Sequence, residues 1–104
     1  MVGRFLGEET MPYLLVRHRV ADYEGWKRDF DVRAGARLEA GSRGGTVFHG
    51  TDDPDQVVVL LEWDEAEQAD AFARSKDLWR AMGRDGVPDD AEASILEEAD
   101  DPAA

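Results

Sequence analysis

Between Gln56 and Trp63 the chain reads Gln-Val-Val-Val-Leu-Leu-Glu-Trp, with five consecutive aliphatic residues at its centre. Thr51-Asp-Asp-Pro-Asp55 supplies turn chemistry before the run and Asp64 closes it, so its length and β-branched content predict a strand. A strand with one wet face alternates apolar and polar side chains. Here Val57, Val59, Leu61 and Trp63 form one set and Val58 and Leu60 the other. The strand therefore belongs inside a sheet whose two faces are both covered.

The remaining periodicities say what is available to cover it. Met11–Val20 predicts a first strand with Leu14, Val16, His18 and Val20 on one face and Tyr13, Leu15, Arg17 and Arg19 on the other. Asp22 then caps a helix whose apolar residues Tyr23, Trp26, Phe30, Ala34 and Leu38 recur every three or four positions as one continuous stripe. The glycines of Gly41–Gly45 end it. Thr46–His49 is a short second strand that forms a hairpin with Gln56–Trp63. Asp64 with Glu67 has the form of a capping box, opening a helix with Ala66, Ala69, Phe72 and Ala73 inward. Ser75 caps a further helical piece carrying Leu78, Trp79 and Met82, and Ala93–Glu98 is the last strand.

The order strand, helix, strand, strand, helix, strand is the ferredoxin-like split βαβ arrangement, an α+β fold. Its helices suffice for one face of the sheet only. The economical cover for the second face is another copy of the same sheet, which predicts a homodimeric α+β barrel with two-fold symmetry. Residues 11–98 form this domain, residues 1–10 read as a flexible extension and residues 99–104 as an acidic tail. A chain of 104 residues leaves no room for a second domain.

Composition removes several function classes. Twelve Lys and Arg stand against 24 Asp and Glu, and residues 45–104 hold 17 of the acidic side chains. Such a surface repels phosphate backbones and anionic lipid, so neither nucleic acid nor a membrane is an expected partner. No apolar run reaches the roughly 18 residues a membrane span needs, and the first ten residues lack the core of a secretory signal, so the expected location is cytoplasmic. The absence of cysteine excludes disulfides, thiolate nucleophiles and zinc–cysteine or iron–sulfur sites. Gly41-Ser-Arg-Gly-Gly45 lacks the Gly-Lys-Ser/Thr of a phosphate loop, and Asp52, Asp53 and Asp55 lack the central Gly and terminal Glu of an EF-hand.

Leu15-Val-Arg-His-Arg-Val20 leading to Asp22-Tyr-Glu-Gly-Trp26, Leu61-Glu-Trp-Asp64 before a helix, and Phe72-Ala-Arg-Ser-Lys-Asp-Leu78 together resemble the layout of the dimeric α+β barrel superfamily. That superfamily includes antibiotic-biosynthesis monooxygenases, haem-degrading monooxygenases, muconolactone isomerases and polyketide cyclases. The resemblance spans about Met11 to Glu98. It implies a pocket between sheet and helices for a small hydrophobic or aromatic molecule, often with no cofactor. Haem-degrading members carry Asn where this chain has His18, Trp where it has Phe72 and a haem-ligating His where it has Met82, which argues against haem degradation. The quinone-forming members rely on an Asn, and this chain has none. Cyclase and isomerase members use His or carboxylates as acid and base.

His18 is accordingly the candidate catalytic residue, the one imidazole on the first strand's otherwise apolar face, suited to move a proton from an activated C–H or a phenol. Trp26, Phe30, Phe72, Trp79 and Met82 are the candidate ligand-binding wall. His49 at the end of the second strand is a possible second acid or base. In the 4-1-3-2 strand order that the resemblance implies, it stands about 10 Å from His18, too far for a shared metal ion. Arg37, one helical turn from Arg33, is in reach of a ligand carboxylate at the pocket mouth. Arg17 and Arg19 suit surface or inter-subunit pairing. The reading is a cofactor-free cyclase, isomerase or monooxygenase acting on an aromatic or polyketide-like metabolite. The alternative is a non-catalytic dimeric ligand-binding or structural module.

Overall fold

Alternation in Tyr13–Arg19 (β1) sets the geometry of the whole sheet. Leu14, Val16 and His18 are buried, as is Val20 just beyond the strand, whereas Arg17 and Arg19 are exposed. The computed structural model describes residues 11–75 and 91–103. After β1 come helices Tyr23–Val32 (α1) and Ala34–Ala40 (α2), strands Ser42–His49 (β2) and Gln56–Trp63 (β3), helix Ala66–Ala73 (α3) and strand Glu92–Leu96 (β4). The strands form one antiparallel sheet in the order β2-β3-β1-β4. This is the α+β ferredoxin-like fold, with β3 inside the sheet as its double-sided apolarity requires.

Register assigns each side chain to a face. Leu14 pairs with Leu61 and Ile95, Val16 with Val59 and Ala93, and His18 with Val57. These residues face the helices, where Trp26 of α1 and Ala69 of α3 complete a core with Trp63, and Tyr23, Phe30, Val47, Phe72 and Ala73 pack around it. The opposite face carries Tyr13, Leu15, Val58, Leu60, Thr46, Phe48 and Leu96. No described helix covers it, and Phe48 is 52% exposed there.

Several local expectations change. The predicted stripe from Tyr23 to Leu38 stops at Phe30, because the helix breaks at Arg33 (φ −95°, ψ 9°), and the new direction leaves Ala34 exposed and Leu38 57% exposed. The second strand begins four residues earlier than Thr46. Of the expected turn Gly41–Gly45, only Gly41 remains outside the strand, and a register shift between Ser42 and Gly44 absorbs the rest. The cap of α3 is Glu65, whose backbone N–H donates to Gln68 Oε1 at 3.0 Å, rather than Asp64 with Glu67. Asp64 instead binds Arg43, whose Nε donates to Asp64 Oδ1 at 2.9 Å. Ala66 lies on the exposed side of α3. The last strand spans 92–96 rather than 93–98. The expected cap Ser75 is described, but the helical piece it was to open, with Leu78, Trp79 and Met82, lies outside the described residues.

Asp22 caps α1 as expected, its Oδ2 accepting from the Gly25 N–H at 2.9 Å. Gly41 ends α2 at φ 118°, a backbone angle L side chains avoid, and a Cβ there would stand 2.3 Å from Gln68 Oε1. The Gly41 carbonyl also accepts from the Asp64 N–H at 3.0 Å, so the turn cannot drift to make room. Gly41→Ala is therefore expected to destabilise the fold by about 2 kcal/mol. Urea denaturation should show this as a lower midpoint at unchanged slope.

Candidate functional site

The helix-facing layer of the sheet holds the one buried titratable side chain among the described residues. His18 is 1% exposed, and the other buried polar residue is Ser42. β1 puts His18 there because it continues the alternation of Leu14 and Val16, and its partner across the strand pair is Val57. Val57 is also the partner of His49 on β2. The two imidazoles thus flank one valine on the same face, two strand spacings or about 10 Å apart. They do not meet. His49 is exposed, its ring lies 4.9 Å from that of Tyr23, and its Nδ1 is 3.2 Å from the Gly50 carbonyl.

A row of rings runs along α1 from this end of the sheet. Tyr23 is held by its backbone N–H, which donates to Asp55 Oδ1 at 3.1 Å and so ties the start of α1 to the β2–β3 turn. The Tyr23 and Trp26 centroids are 6.0 Å apart, and Trp26 stacks on Phe30 at 5.0 Å and 26°. Arg37 closes the row with its guanidinium carbon 3.6 Å from the Phe30 centroid and Nη1 donating to the Phe30 carbonyl at 2.7 Å. Spacing along α1 brings Tyr23, Trp26 and Phe30 to one side, and the break at Arg33 turns Arg37 back over them. Burial pushes the Arg37 guanidinium below its ordinary value, partly offset by the nearby Asp31 charge.

Of the expected ligand wall, then, Trp26 and Phe30 stand together on α1. Phe72 stands apart on α3, half-buried and 5.1 Å from Trp63. Trp79 and Met82 fall outside the described residues. Arg17 pairs with Glu92 across the β1–β4 strand pair at 2.9 Å, and Arg19 pairs with Asp53. Both arginines are thus bound within the chain. The Arg19 and Arg43 guanidinium groups hold the carboxyls of Asp53 and Asp64, respectively, below the usual carboxylate range.

One further residue belongs with these candidates. Trp63 is fully buried on the helix-facing side, and its indole Nε1–H has no acceptor among the described residues. An unmet buried donor costs about 1–3 kcal/mol, so the position is one where an acceptor on a bound molecule gains a ready partner. The signal in the sequence is the alternation Val57, Val59, Leu61, Trp63, which places the indole on the buried face without showing whether its N–H is met. Trp63 lies six residues along β3 from Val57, roughly 20 Å, so it and His18 mark opposite ends of the layer.

No protein-family model and no curated protein matches the chain. Solved structures do. A Nitrosomonas europaea protein named "Putative antibiotic biosynthesis monooxygenase" superposes with a TM-score of 0.64 at 17% identity, covering 86% of this chain and 90% of its own. A Bordetella bronchiseptica protein of the same name gives 0.65 at 12% identity, covering 90% of this chain and 100% of its own. A dimeric ferredoxin-like protein from an uncultured marine organism gives 0.54 at 7% identity, covering 93% and 95%. The resemblance read from the residues therefore holds at the level of the fold.

Proposed function

We propose that this protein binds a small, largely apolar molecule in the layer between the sheet and its helices and moves a proton on it with His18. The observation that carries the reading is the position of His18, a single imidazole at 1% exposure on a face otherwise built from Leu14, Val16, Val57 and Val59. Imidazole both accepts and donates a proton near neutrality, and a packed apolar layer holds the acceptor and the activated C–H in a fixed relation. Trp26 and Phe30 bound that layer on the helix side, an apolar boundary that suits an aromatic or polyketide-like ligand. The chemistry is cyclisation or isomerisation by acid–base transfer, or addition of dioxygen, as co-substrate, to the resulting carbanion without a cofactor. The names of the fold neighbours agree with small-molecule chemistry.

The same reading includes a homodimer. Leu15, Val58, Leu60 and Phe48 make an apolar sheet face that no described helix covers, and a second copy related by two-fold symmetry would cover it with an identical face.

A bicyclic ketone with an activated methylene, 2-tetralone, tests the proton transfer. Deuterium exchange at its C1 position, followed by proton NMR, should be accelerated by the protein. His18→Gln should lose that acceleration by about 10²-fold or more while the melting temperature stays within a few degrees. Equal exchange with both proteins would remove the catalytic role and leave a ligand-binding module.

A further inference from the structure

The described cations that approach a carboxylate are paired with it. Lys27 holds Asp31 at 2.7 Å, Arg74 holds Asp70 at 3.2 Å, and Arg17, Arg19 and Arg43 are bound as described above. Arg37 departs from this pattern. It is half-buried and immobilised by two contacts, the Phe30 ring and the Phe30 carbonyl, and neither carries a negative charge. Asp31, the acidic group that acts on it through space, has both carboxylate oxygens engaged by Lys27 Nζ, at 2.7 and 2.8 Å.

Resting on the reading above, we infer that Arg37 anchors a carboxylate of the ligand, so that the molecule bound is an aromatic acid whose rings enter the apolar layer beside Phe30. Stacking uses the face of a guanidinium and leaves its edge available. With Nη1 committed to the Phe30 carbonyl, the Nε and Nη2 edge presents the two parallel N–H groups that a carboxylate accepts as a fork. The side chain is already held, so the rotamer entropy that a free surface arginine would lose on binding is largely lost beforehand.

Isothermal titration with 2-naphthoate and its neutral isostere 2-naphthamide tests the anchor on the full chain. The unaltered protein should bind 2-naphthoate at least about tenfold more tightly, a difference of about 1.4 kcal/mol. Arg37→Gln should erase that preference, the two probes then binding with equal affinity, whereas Arg33→Gln should keep it. Arg37→Lys, which retains the charge without the fork, should keep only part of it and guards against a glutamine variant that misfolds. A third readout needs no variant to bind: the Arg37 Nε–H NMR signal should move with 2-naphthoate and stay with 2-naphthamide. Equal affinity for both probes, or a preference that survives at Arg37→Gln and Arg37→Lys, overturns the anchor and leaves the apolar layer as a binding site. Failure of both probes to bind overturns the binding reading and the anchor with it.

Discussion

Trp63→Ala should cost about 3–5 kcal/mol and lower the melting temperature by more than about 10 °C. The indole is fully buried, it closes the helix-facing end of β3, and its ring lies 5.1 Å from Phe72, the contact that seats α3 on the sheet. Truncation removes the largest buried side chain of the core and leaves a cavity that the strand pairing with β1 and β2 prevents from collapsing. Thermal unfolding followed by circular dichroism checks this. Trp63→Phe separates packing from hydrogen bonding: it keeps most of the volume, deletes a donor that has no acceptor among the described residues, and should cost far less than the alanine. A phenylalanine variant as unstable as the alanine one would mean that the N–H is satisfied after all.

Leu60→Glu should turn the proposed dimer into a monomer. Leu60 stands at the middle of the uncovered face, opposite Leu15 on β1 and Thr46 on β2. In the two-fold arrangement each copy would bring a carboxylate into the middle of an apolar seam, a cost of several kcal/mol, or about a thousandfold in the dimer dissociation constant. In the isolated protomer the same side chain reaches water and the fold should survive. Sedimentation velocity distinguishes the outcomes. A wild-type protein that sediments as a monomer, or a Leu60→Glu variant that remains a dimer, would show that the sheet face has another cover.

The sheet was legible in the sequence because period-two alternation is a short-range property. Leu14, Val16 and His18 go inward and Arg17 and Arg19 outward as the alternation of Met11–Val20 requires, and the double apolarity of 57–61 places β3 inside. The helix after Asp22 was legible at its start, where a cap makes a local hydrogen bond, and not at its end. Ala34 and Leu38 keep the spacing of a stripe, but a break at Arg33 depends on how the chain must travel to reach β2, which spacing does not encode. Gly44 and Gly45 suggested a turn by composition. Pairing with β3 overrides that propensity and extends the strand through them.

The candidate site divides in the same way. The place of His18 followed from alternation, and its separation from His49 from strand order. Arg37 was read as a cation in reach of a ligand carboxylate, but its stacking on Phe30 could not be read, because it arises from the helix break. Trp63 entered only with the structure, since whether a buried N–H is met depends on residues distant in the chain.

The strand order also dictates a sequence of events as the chain emerges during synthesis. β1 is made first, but its two neighbours are β3 and β4, so Leu14 and Val16 stay unsheltered until residue 63 has been added. The β2–β3 hairpin needs only the turn at residues 50–55 and closes locally, at small entropic cost. The hairpin is thus expected to form early, with β1 docking onto its edge and β4 joining last. Until then the nascent protein carries an apolar strand with no partner, and its flanking Arg17 and Arg19 are the charges that discourage that strand from pairing with another chain.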